Sequence, residues 1–588
     1  MAVSTILLLA GCGGNNIVAN PTPTPPVGIL SVVVTPSNPS VNLVNNQQFS
    51  ASINGVPSTA VTWSISGTGC TGSTCGDISP TGLYTAPWCA PSPALVTVRA
   101  TANADATKFG ATVITPVVQM PTLGAGQYAF LFQGTDKDGL MQSAGAFILD
   151  NAGNVTSGVE DIARLSAVNT SVTFTGTYSL PCYNRGTITF NNSLGQTQTF
   201  AFGVDPSGQD VRFIAMDNTL TIRGSGVATR QDPATFVNGL NGEYAFGFAG
   251  TRDLSKPPGR VASIGRFTAS AGTISSGKMD INTDGVTQPN LDFTGTYTGA
   301  SVNLGRGTAV MTETASGKTS NMSYYVVSSN KSYWVSTDLP GVRGSMFSGQ
   351  SMEQSGGPFT NLSLNQTAVF ALTGKTPGTG TGAEVAMGIL KPDGAGNLGG
   401  GPMDENLDST LSAYNTLSGT YTVDLSGNGR GTMHIVMSPT VSRDLTFYIA
   451  TPNKLVLLDG TATIPGPLAG MGFMETQQGA PFSLATLKGP YYMGAMGMST
   501  PFVPVNCGVF IADGLGNAAG MGDQSDMFLN HPNQGLFSGA YYMTTPGKGL
   551  TDVTPTGNVV FYVVSPAKAW MFEMRNTQHQ PVVSFIEQ

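Results

Sequence analysis

Carboxylates that return at a regular interval are the residues of this chain whose type and spacing could do chemistry. They recur about every 120 residues, each near the end of a predicted strand: Asp161, Asp280, Asp404 and Asp523. A carboxylate in such a position could bind a metal ion or act as a general base. Catalysis of hydrolysis, however, normally needs a second carboxylate or a histidine held nearby. The spacing alone therefore does not define a reaction.

A basic residue followed by glycine recurs at the same interval, each time in a predicted turn. These residues are Arg185, Arg306, Arg430 and Lys548. An aspartate paired with the basic residue of its own unit would satisfy both charges and fix the register of the strands that carry them. We therefore interpret both sets as structural and predict an ion pair within each unit. On this interpretation the chain has no catalytic residue and is not an enzyme, and a secreted hydrolase is only the third hypothesis.

Other patterns that could hold a metal ion or a cofactor are weak. His434, His531 and His579 are far apart and never paired at ligand spacing. The Asp-Gly-Ala-Gly-Asn turn at 393–397 and its counterparts lack the further acidic positions of calcium loops, so we interpret them as tight hairpin turns. Phosphate loops and dinucleotide fingerprints do not occur in a credible context. We predict no metal and no cofactor.

The elements that position these residues belong to one module used four times. Its anchor is a strand ending in Gly-Thr-Tyr or a close variant, which reads FTGTY at 174–178 and 293–297, LSGTY at 417–421 and FSGAY at 537–541. Self-similarity at a fixed period indicates one folded unit per copy. We assign the repeats to residues 124–236, 237–360, 361–484 and 485–588.

Each repeat reads as about eight short strands joined by turns, which favours a small up-and-down barrel of lipocalin-like or avidin-like architecture. A β-sandwich is the alternative, because periodicity cannot separate the two. Large rings mark the opening strands and alternate in the first two repeats, which places them on one face of the strand. Filling the core is their default role, and lining a site for a sugar or an apolar ligand is the alternative. The candidate aromatic residues are Tyr128, Phe130, Tyr244, Phe246 and Tyr491.

The N-terminus carries a short apolar run that leads into Leu9-Ala10-Gly11-Cys12. Small residues before a cysteine suit signal-peptide cleavage, and this tetrad resembles the lipobox of bacterial lipoproteins. The resemblance implies that residues 1–12 contain a signal peptide and the lipobox, and that Cys12 receives lipid. Residues 13–27 form a proline-rich linker that favours a stiff, extended spacer. Lipid on Cys12 would anchor an exported protein to the cell envelope, at the outer membrane or cell surface.

Residues 28–119 read as short strands bounded by proline, glycine or asparagine, with Trp63 as the predicted core anchor. The segments SVVVTPSNPSVNLVNNQQFSASING, VTWSISG, GLYTAP and VTVRATAN resemble bacterial Ig-like domains of the group 2 type. The resemblance implies a sandwich of the kind used as a spacer or adhesive module on bacterial surfaces. In an oxidising compartment we favour a disulfide between Cys70 and Cys75. Pairing of Cys89 with one of them is the competing arrangement.

These features predict an all-β protein, with an Ig-like sandwich followed by four tandem eight-stranded units. The units also resemble modules of uncharacterised secreted proteins of soil bacteria, a resemblance that implies no activity. Only 10% of residues are charged, the formal net charge is -8, and no cationic cluster is present, which excludes nucleic acid as a partner. The main functional hypothesis is a surface lipoprotein for adhesion, envelope structure or multivalent recognition of a glycan or surface protein. The alternative is a carrier of small apolar ligands inside the barrels.

Overall fold

The computed structural model describes most of the chain after residue 27. The described residues are 28–29, 31–117, 123–216, 222–252, 259–339, 345–375, 383–407, 410–461, 469–496, 505–525, 530–531, 536–552, 559–574 and 583–588. The predicted lipid site at Cys12, the proline-rich linker and His579 lie outside them. The chain divides into two compact units between Val117 and Val118.

The N-terminal unit consists of one four-stranded and two three-stranded sheets. The four-stranded sheet has the order Ser40–Asn42, Phe109–Val117, Val96–Ala102, Val61–Ser66. The three-stranded sheets have the orders Val32–Thr35, Ser50–Ile53, Val56–Ser58 and Asn46–Gln48, Leu83–Thr85, Asp77–Ile78. A 3-10 turn, Gly72–Cys75, precedes the last of these strands.

The core of this unit contains two buried rings, and the predicted anchor Trp63 packs against it, with its ring centroid 6.5 Å from that of Phe49. Phe49 and Tyr84 are buried and meet edge to face, with their ring centroids 6.5 Å apart. Trp63 is only half-buried, and its strand is the outermost of the four-stranded sheet. Cys70 and Cys75 form a disulfide bond, which excludes pairing of Cys89 with either of them.

The second unit contains four closed antiparallel barrels, one per repeat. In each barrel the strands pair in sequence order and the closing strand pairs with the opening one, so the predicted up-and-down barrel is confirmed and the sandwich alternative is wrong. Closure leaves no unpaired sheet edge. The third and fourth barrels each carry one extra short strand, Thr410–Tyr414 and Asn530–His531, which pairs with the third strand of its barrel.

The strand bounds show how closely the repeats correspond. Barrel 1 consists of Gly126–Asp136, Gly139–Leu149, Asn154–Arg164, Val168–Cys182, Arg185–Asn192, Thr197–Val204, Asp210–Ala215 and Arg223–Arg230. Barrel 2 consists of Gly242–Thr251, Arg260–Ser270, Thr273–Thr283, Val286–Tyr297, Arg306–Glu313, Thr319–Ser328, Lys331–Ser336 and Met346–Glu353. Barrel 3 consists of Ala368–Lys375, Ala383–Pro392, Asn397–Leu407, Ser418–Val423, Arg430–Ser438, Val441–Thr451, Lys454–Asp459 and Ala469–Thr476. Barrel 4 consists of Lys488–Met496, Val505–Asp513, Asn517–Ser525, Leu536–Thr545, Lys548–Thr551, Val559–Ser565, Lys568–Glu573 and Val583–Glu587.

Short 3-10 turns precede the second, third and fourth barrels, at Pro233–Thr235, Asn361–Ser363 and Leu484–Thr486. Within the described part of the chain, no helical segment has the length and apolar character needed to cross a membrane.

Aromatic side chains fill the barrel interiors. All five candidate aromatics of the opening strands are buried within barrel cores: Tyr128, Phe130, Tyr244, Phe246 and Tyr491. The ring of Phe130 meets the rings of Phe174 and Phe213 edge to face, with centroids 6.4 and 6.3 Å apart, a geometry that aromatic pairs prefer. Alternation along the strand therefore places these rings in the core.

The recurring Gly-Thr-Tyr strand has two separate structural roles. Its tyrosine hydroxyl donates to the carbonyl of the leucine that precedes the barrel, as in Tyr297 to Leu240 at 2.6 Å and Tyr421 to Leu364 at 2.7 Å. Its glycine lets the next strand approach, since a Cβ on Gly295 would lie 2.2 Å from a backbone carbonyl oxygen. The motif thus ties the incoming chain to the barrel wall and keeps the wall closely packed.

Candidate functional site

The recurring aspartates lie at the contacts between barrels. The fully buried carboxylate of Asp161, in barrel 1, accepts bonds from Arg306 Nε at 2.8 Å and Nη2 at 2.7 Å, both from barrel 2. The hydroxyl of Tyr325 donates to the same carboxylate at 2.5 Å, and the Ser171 amide donates at 2.9 Å. Both carboxylate oxygens are therefore engaged, and one bidentate pair joins the two barrels.

The same contact returns at the next two boundaries. Asp280 of barrel 2 accepts from Arg430 Nε at 3.0 Å and Nη2 at 2.7 Å, and from the Tyr448 hydroxyl at 2.8 Å. Asp404 of barrel 3 is 2.6 Å from Lys548 Nζ and accepts from the Tyr562 hydroxyl at 2.5 Å. The lysine of barrel 4 replaces the arginine fork with a single ammonium group.

The fourth aspartate returns to the first barrel and closes a ring. Arg185 Nε donates to Asp523 Oδ2 at 2.5 Å and Nη2 donates to Oδ1, although the two residues are 338 positions apart. The prediction that each aspartate pairs within its own unit is therefore wrong for all four copies. Asp161 and the basic residue of its own repeat, Arg185, project toward different neighbours, so a contact between adjacent barrels satisfies each charge.

The closing contact differs from the other three. Gly203 lies opposite Arg185, at the register position that Tyr325 holds opposite Arg306. A Cβ on Gly203 would lie 2.7 Å from the carbonyl oxygen of Gly508 in barrel 4. The tyrosine hydroxyl is thus replaced by a close approach of two backbones between barrels 1 and 4.

The electrostatics of these contacts favour structure over proton transfer. Hydrogen bonds to Asp161 and Asp280 raise the pKa of the Arg306 and Arg430 guanidinium groups, which stay charged. Burial, reinforced by the neighbouring aspartate, raises the pKa of the Tyr325 and Tyr448 hydroxyls, which stay protonated and donate. A carboxylate surrounded by permanent donors is a poor general base.

Sequence reasoning missed two further sets of residues at the barrel boundaries. The tyrosines opposite the basic residues recur with the same register, a signal that the sequence does contain. A glutamine after each of the first three barrels reaches into the next one, where its amide donates to backbone carbonyls. These bonds run from Gln231 to Val326 at 2.5 Å, from Gln354 to Ile449 at 2.7 Å and from Gln477 to Val563 at 2.7 Å.

A second charged network lies at the ends of the closing strands. Glu475 of barrel 3 is 3.0 Å from Lys454 Nζ and 2.9 Å from Lys568 Nζ of barrel 4. Burial alone would raise the pKa of Glu475. The two ammonium groups outweigh burial and lower this pKa to about 2. Glu587 of barrel 4 is 2.9 Å from Arg212 Nη2 of barrel 1 and 3.1 Å from Lys568 Nζ. This network therefore joins barrels 3, 4 and 1.

A cavity of about 100 Å³ is lined by side chains from all four barrels. Its walls come mostly from opening and closing strands and are mainly apolar, with Leu131 from barrel 1, Phe473 from barrel 3 and Phe585 from barrel 4. Barrel 2 contributes the guanidinium-bearing residue Arg260. We call this space the central cavity, and it exists only because the four barrels close into a ring.

Barrel 2 also has a cavity of its own, of about 300 Å³. Phe246, Phe248 and Met311 line its inner part, and Arg252 lies among the polar residues that complete its lining. The cavities detected in the cores of barrels 1 and 4 measure only about 20 Å³ and about 40 Å³. We call the larger space the barrel-2 cavity.

One register position differs in side-chain size between barrel 2 and barrels 1 and 3. Gln198 of barrel 1, Ser320 of barrel 2 and Arg443 of barrel 3 are equivalent, opposite the fifth strand. Arg443 is fully buried and pairs with three carboxylates, those of Glu384, Glu405 and Asp459. The short side chain of Ser320 leaves open the space that a long side chain occupies in barrels 1 and 3.

The remaining candidates for chemistry have structural roles or lie apart. Asp393 Oδ1 accepts the backbone amides of Ala395 and Asn397 at 2.7 and 3.0 Å, as expected of a tight hairpin turn. His434 Nδ1 lies 2.7 Å from Asp444, and both side chains are about half exposed. Among the described residues, no group of three or more His, Cys, Asp or Glu is placed to hold a metal ion.

Comparison with known proteins gives distant structural neighbours. The chain matches no protein-family model and no curated protein sequence. A mutant transferrin binding protein B from Haemophilus parasuis Hp5 is 12% identical, with 66% of this chain and 83% of that chain covered and a TM-score of 0.19. The isotype 1 transferrin binding protein B of serogroup B Neisseria meningitidis is 9% identical, with 60% and 77% covered and a TM-score of 0.18. At these scores the similarity assigns no ligand or partner to this chain.

We predict that Asp280→Asn destabilises the second unit strongly. The change weakens a buried bidentate pair and leaves Arg430 without its full counter-charge, a loss of about 3 to 5 kcal/mol in the free energy of unfolding. Asp292→Asn is the control, because Asp292 forms a mostly exposed pair with Lys278 and should change stability by only about 0.5 kcal/mol. Urea unfolding of both variants measures the difference. Equal effects of the two changes would contradict the assigned role of Asp280.

Proposed function

We propose that this protein is an exported, lipid-anchored, non-enzymatic binding protein of the bacterial cell surface. Its role is adhesion or multivalent recognition of a glycan or a surface protein, and Cys12 carries the anchor. The observation that carries the proposal is the unbroken ring of buried ion pairs from Asp161 around to Arg185. A ring of this kind fixes the spacing of four similar surfaces, and fixed spacing raises the effective concentration of weak sites.

Several features support a binding role over a catalytic one. The recurring carboxylates are buried and fully engaged by neighbouring barrels, so they present no reactive group to a substrate. The N-terminal unit, with its small sheets and its sequence resemblance to Ig-like domains, suits a spacer between the anchor and the ring. The proline-rich residues 13–27 suit the same purpose.

The anchor is tested by metabolic labelling with a clickable fatty acid. We expect label on the wild-type chain in the membrane fraction, and loss of both label and membrane association in Cys12→Ala, because the thiol is the acylated atom. Cys507→Ala is the matched control and should retain label, since Cys507 is buried. An unlabelled wild-type chain would remove the anchor from the proposal.

The binding role is tested by presenting the intact chain to a glycan array and to immobilised envelope proteins. Multivalent recognition predicts that binding falls at least tenfold when the ring is loosened by Asp280→Asn under conditions where the barrels stay folded. Binding that is unaffected by the loosened ring would point to a single site instead.

A second candidate function is the carriage of a small apolar ligand, and the barrel-2 cavity favours it. A space of about 300 Å³ lined by phenylalanine and methionine is at the lower end of the range of ligand pockets. The other detected barrel-core cavities, in barrels 1 and 4, are much smaller, so a carrier would hold one molecule per chain in barrel 2.

We predict that Ser320→Phe blocks this site. The ring should occupy the space that Ser320 leaves open and weaken binding of the apolar fluorophore N-phenyl-1-naphthylamine at least tenfold. Ser329→Phe is the matched control, because Ser329 is exposed in a turn of the same barrel. Fluorescence titration measures both. Equal binding by the two variants, or no binding by the wild type, would dismiss the carrier function.

A further inference from the structure

The central cavity holds a buried cation that forms no ion pair in the described structure. Arg260 is only 8% exposed. Its Nη2 donates to the carbonyl oxygen of Thr373, in barrel 3, at 3.3 Å. Its Nε has no hydrogen-bond partner. Arg185, Arg306, Arg430 and Arg443 each contact a carboxylate, whereas Arg260 lines a mainly apolar space.

A second polar group in the same cavity is also unsatisfied. Ser225 of barrel 1 is 3% exposed, lines the cavity, and its hydroxyl has no partner among the described residues. Buried donors without acceptors cost free energy, and an unpaired buried charge costs more. Two such groups on one small cavity indicate a place for an acceptor that the chain itself does not supply.

The nearby glutamates do not act as acceptors for Arg260. Glu384 is the acid that attracts Arg260 electrostatically, but its carboxylate is bound by Arg443 inside barrel 3. Burial lowers the pKa of Arg260 to about 10, against the attraction of Glu384, so the group is still charged at neutral pH. Glu475 and Glu587 pair with their own lysine and arginine partners at the ends of the closing strands.

From this geometry we propose that the central cavity is a binding site for a small carboxylate with a short apolar tail. The carboxylate pairs with the Arg260 guanidinium, Ser225 lies in the same lining, and the tail contacts apolar walls such as Leu131, Phe473 and Phe585. This site is separate from the barrel-2 cavity and goes beyond the proposed function. It requires all four barrels, since each contributes to the wall.

The size and lining of the cavity define the ligand class. An apolar cavity of about 150 Å³ holds benzene, so about 100 Å³ suits a carboxylate with a tail of a few carbon atoms. A halide ion would leave the apolar walls without contacts. A phosphate dianion would demand more donors than Arg260 and Ser225 provide.

Isothermal titration calorimetry of the intact chain tests the site with sodium butyrate, its neutral isostere butyramide, and sodium chloride. We expect one butyrate per chain, at least tenfold weaker binding of butyramide, and no saturable chloride binding at the same concentration. This comparison uses only the wild-type chain, so it does not depend on the folding of a variant. Absence of butyrate binding, or equal binding of butyrate and butyramide, would overturn the proposal.

Variants then locate the site. Arg260→Met should weaken butyrate binding at least tenfold and Ser225→Ala should weaken it by a smaller factor. Lys278→Met is the matched control in the same barrel, because that side chain lines neither cavity and pairs with Asp292 at the surface, and it should bind butyrate like the wild type. If Arg260→Met bound butyrate as tightly as the wild type, or Lys278→Met lost it, the assignment to the central cavity would be wrong.

Discussion

A buried carboxylate cannot remain in a protein interior without a counter-charge and donors, and this constraint organises the second unit. Each barrel buries one aspartate on its outer wall, and the matching cation comes from the next barrel in the ring. Removing either partner leaves an unpaired charge in a region of low dielectric. The resulting loss in the free energy of unfolding is much larger than the contribution of an exposed ion pair. Each ion pair therefore joins one barrel to the next barrel in the ring, while each barrel encloses an apolar core of its own.

Ring closure has consequences that single barrels would not have. It creates the central cavity, whose mainly apolar wall combines all four repeats and includes Arg260 and Ser225. Because the contacts between barrels lie on the outer walls, the side chains inside the barrels can differ from one repeat to the next. Barrel 3 can thus bury Arg443 among three carboxylates while barrel 2 keeps the short Ser320 and an open cavity. Burial raises the pKa of Glu384 in that cluster to about 7, against the attraction of Arg443.

Much of the fold could be predicted from the sequence, because strand alternation and the Gly-Thr-Tyr period act locally. The partner of Asp161 could not be predicted, because every repeat carries one such aspartate and one such basic residue. Pairing within a repeat and pairing with the next repeat therefore fit the sequence pattern equally well. Trp63 packs against the core as predicted, but its partial exposure could not be predicted, because no sequence signal distinguishes an edge strand from a central one. Arg260 and Gly203 do not recur with the repeat period. Their roles could not be predicted, because these depend on contacts between barrels that form only in the closed ring.

The ring itself is tested most directly by a double-mutant cycle between Asp523 and Arg185, which lie in the last and first repeats. The free energies of unfolding of Asp523→Asn, Arg185→Met and the double variant would be measured in urea. A direct contact predicts a coupling energy of at least about 1.5 kcal/mol, as found for close charge pairs. Effects that add within about 0.5 kcal/mol would mean that the two residues do not touch and that the four barrels form an open string.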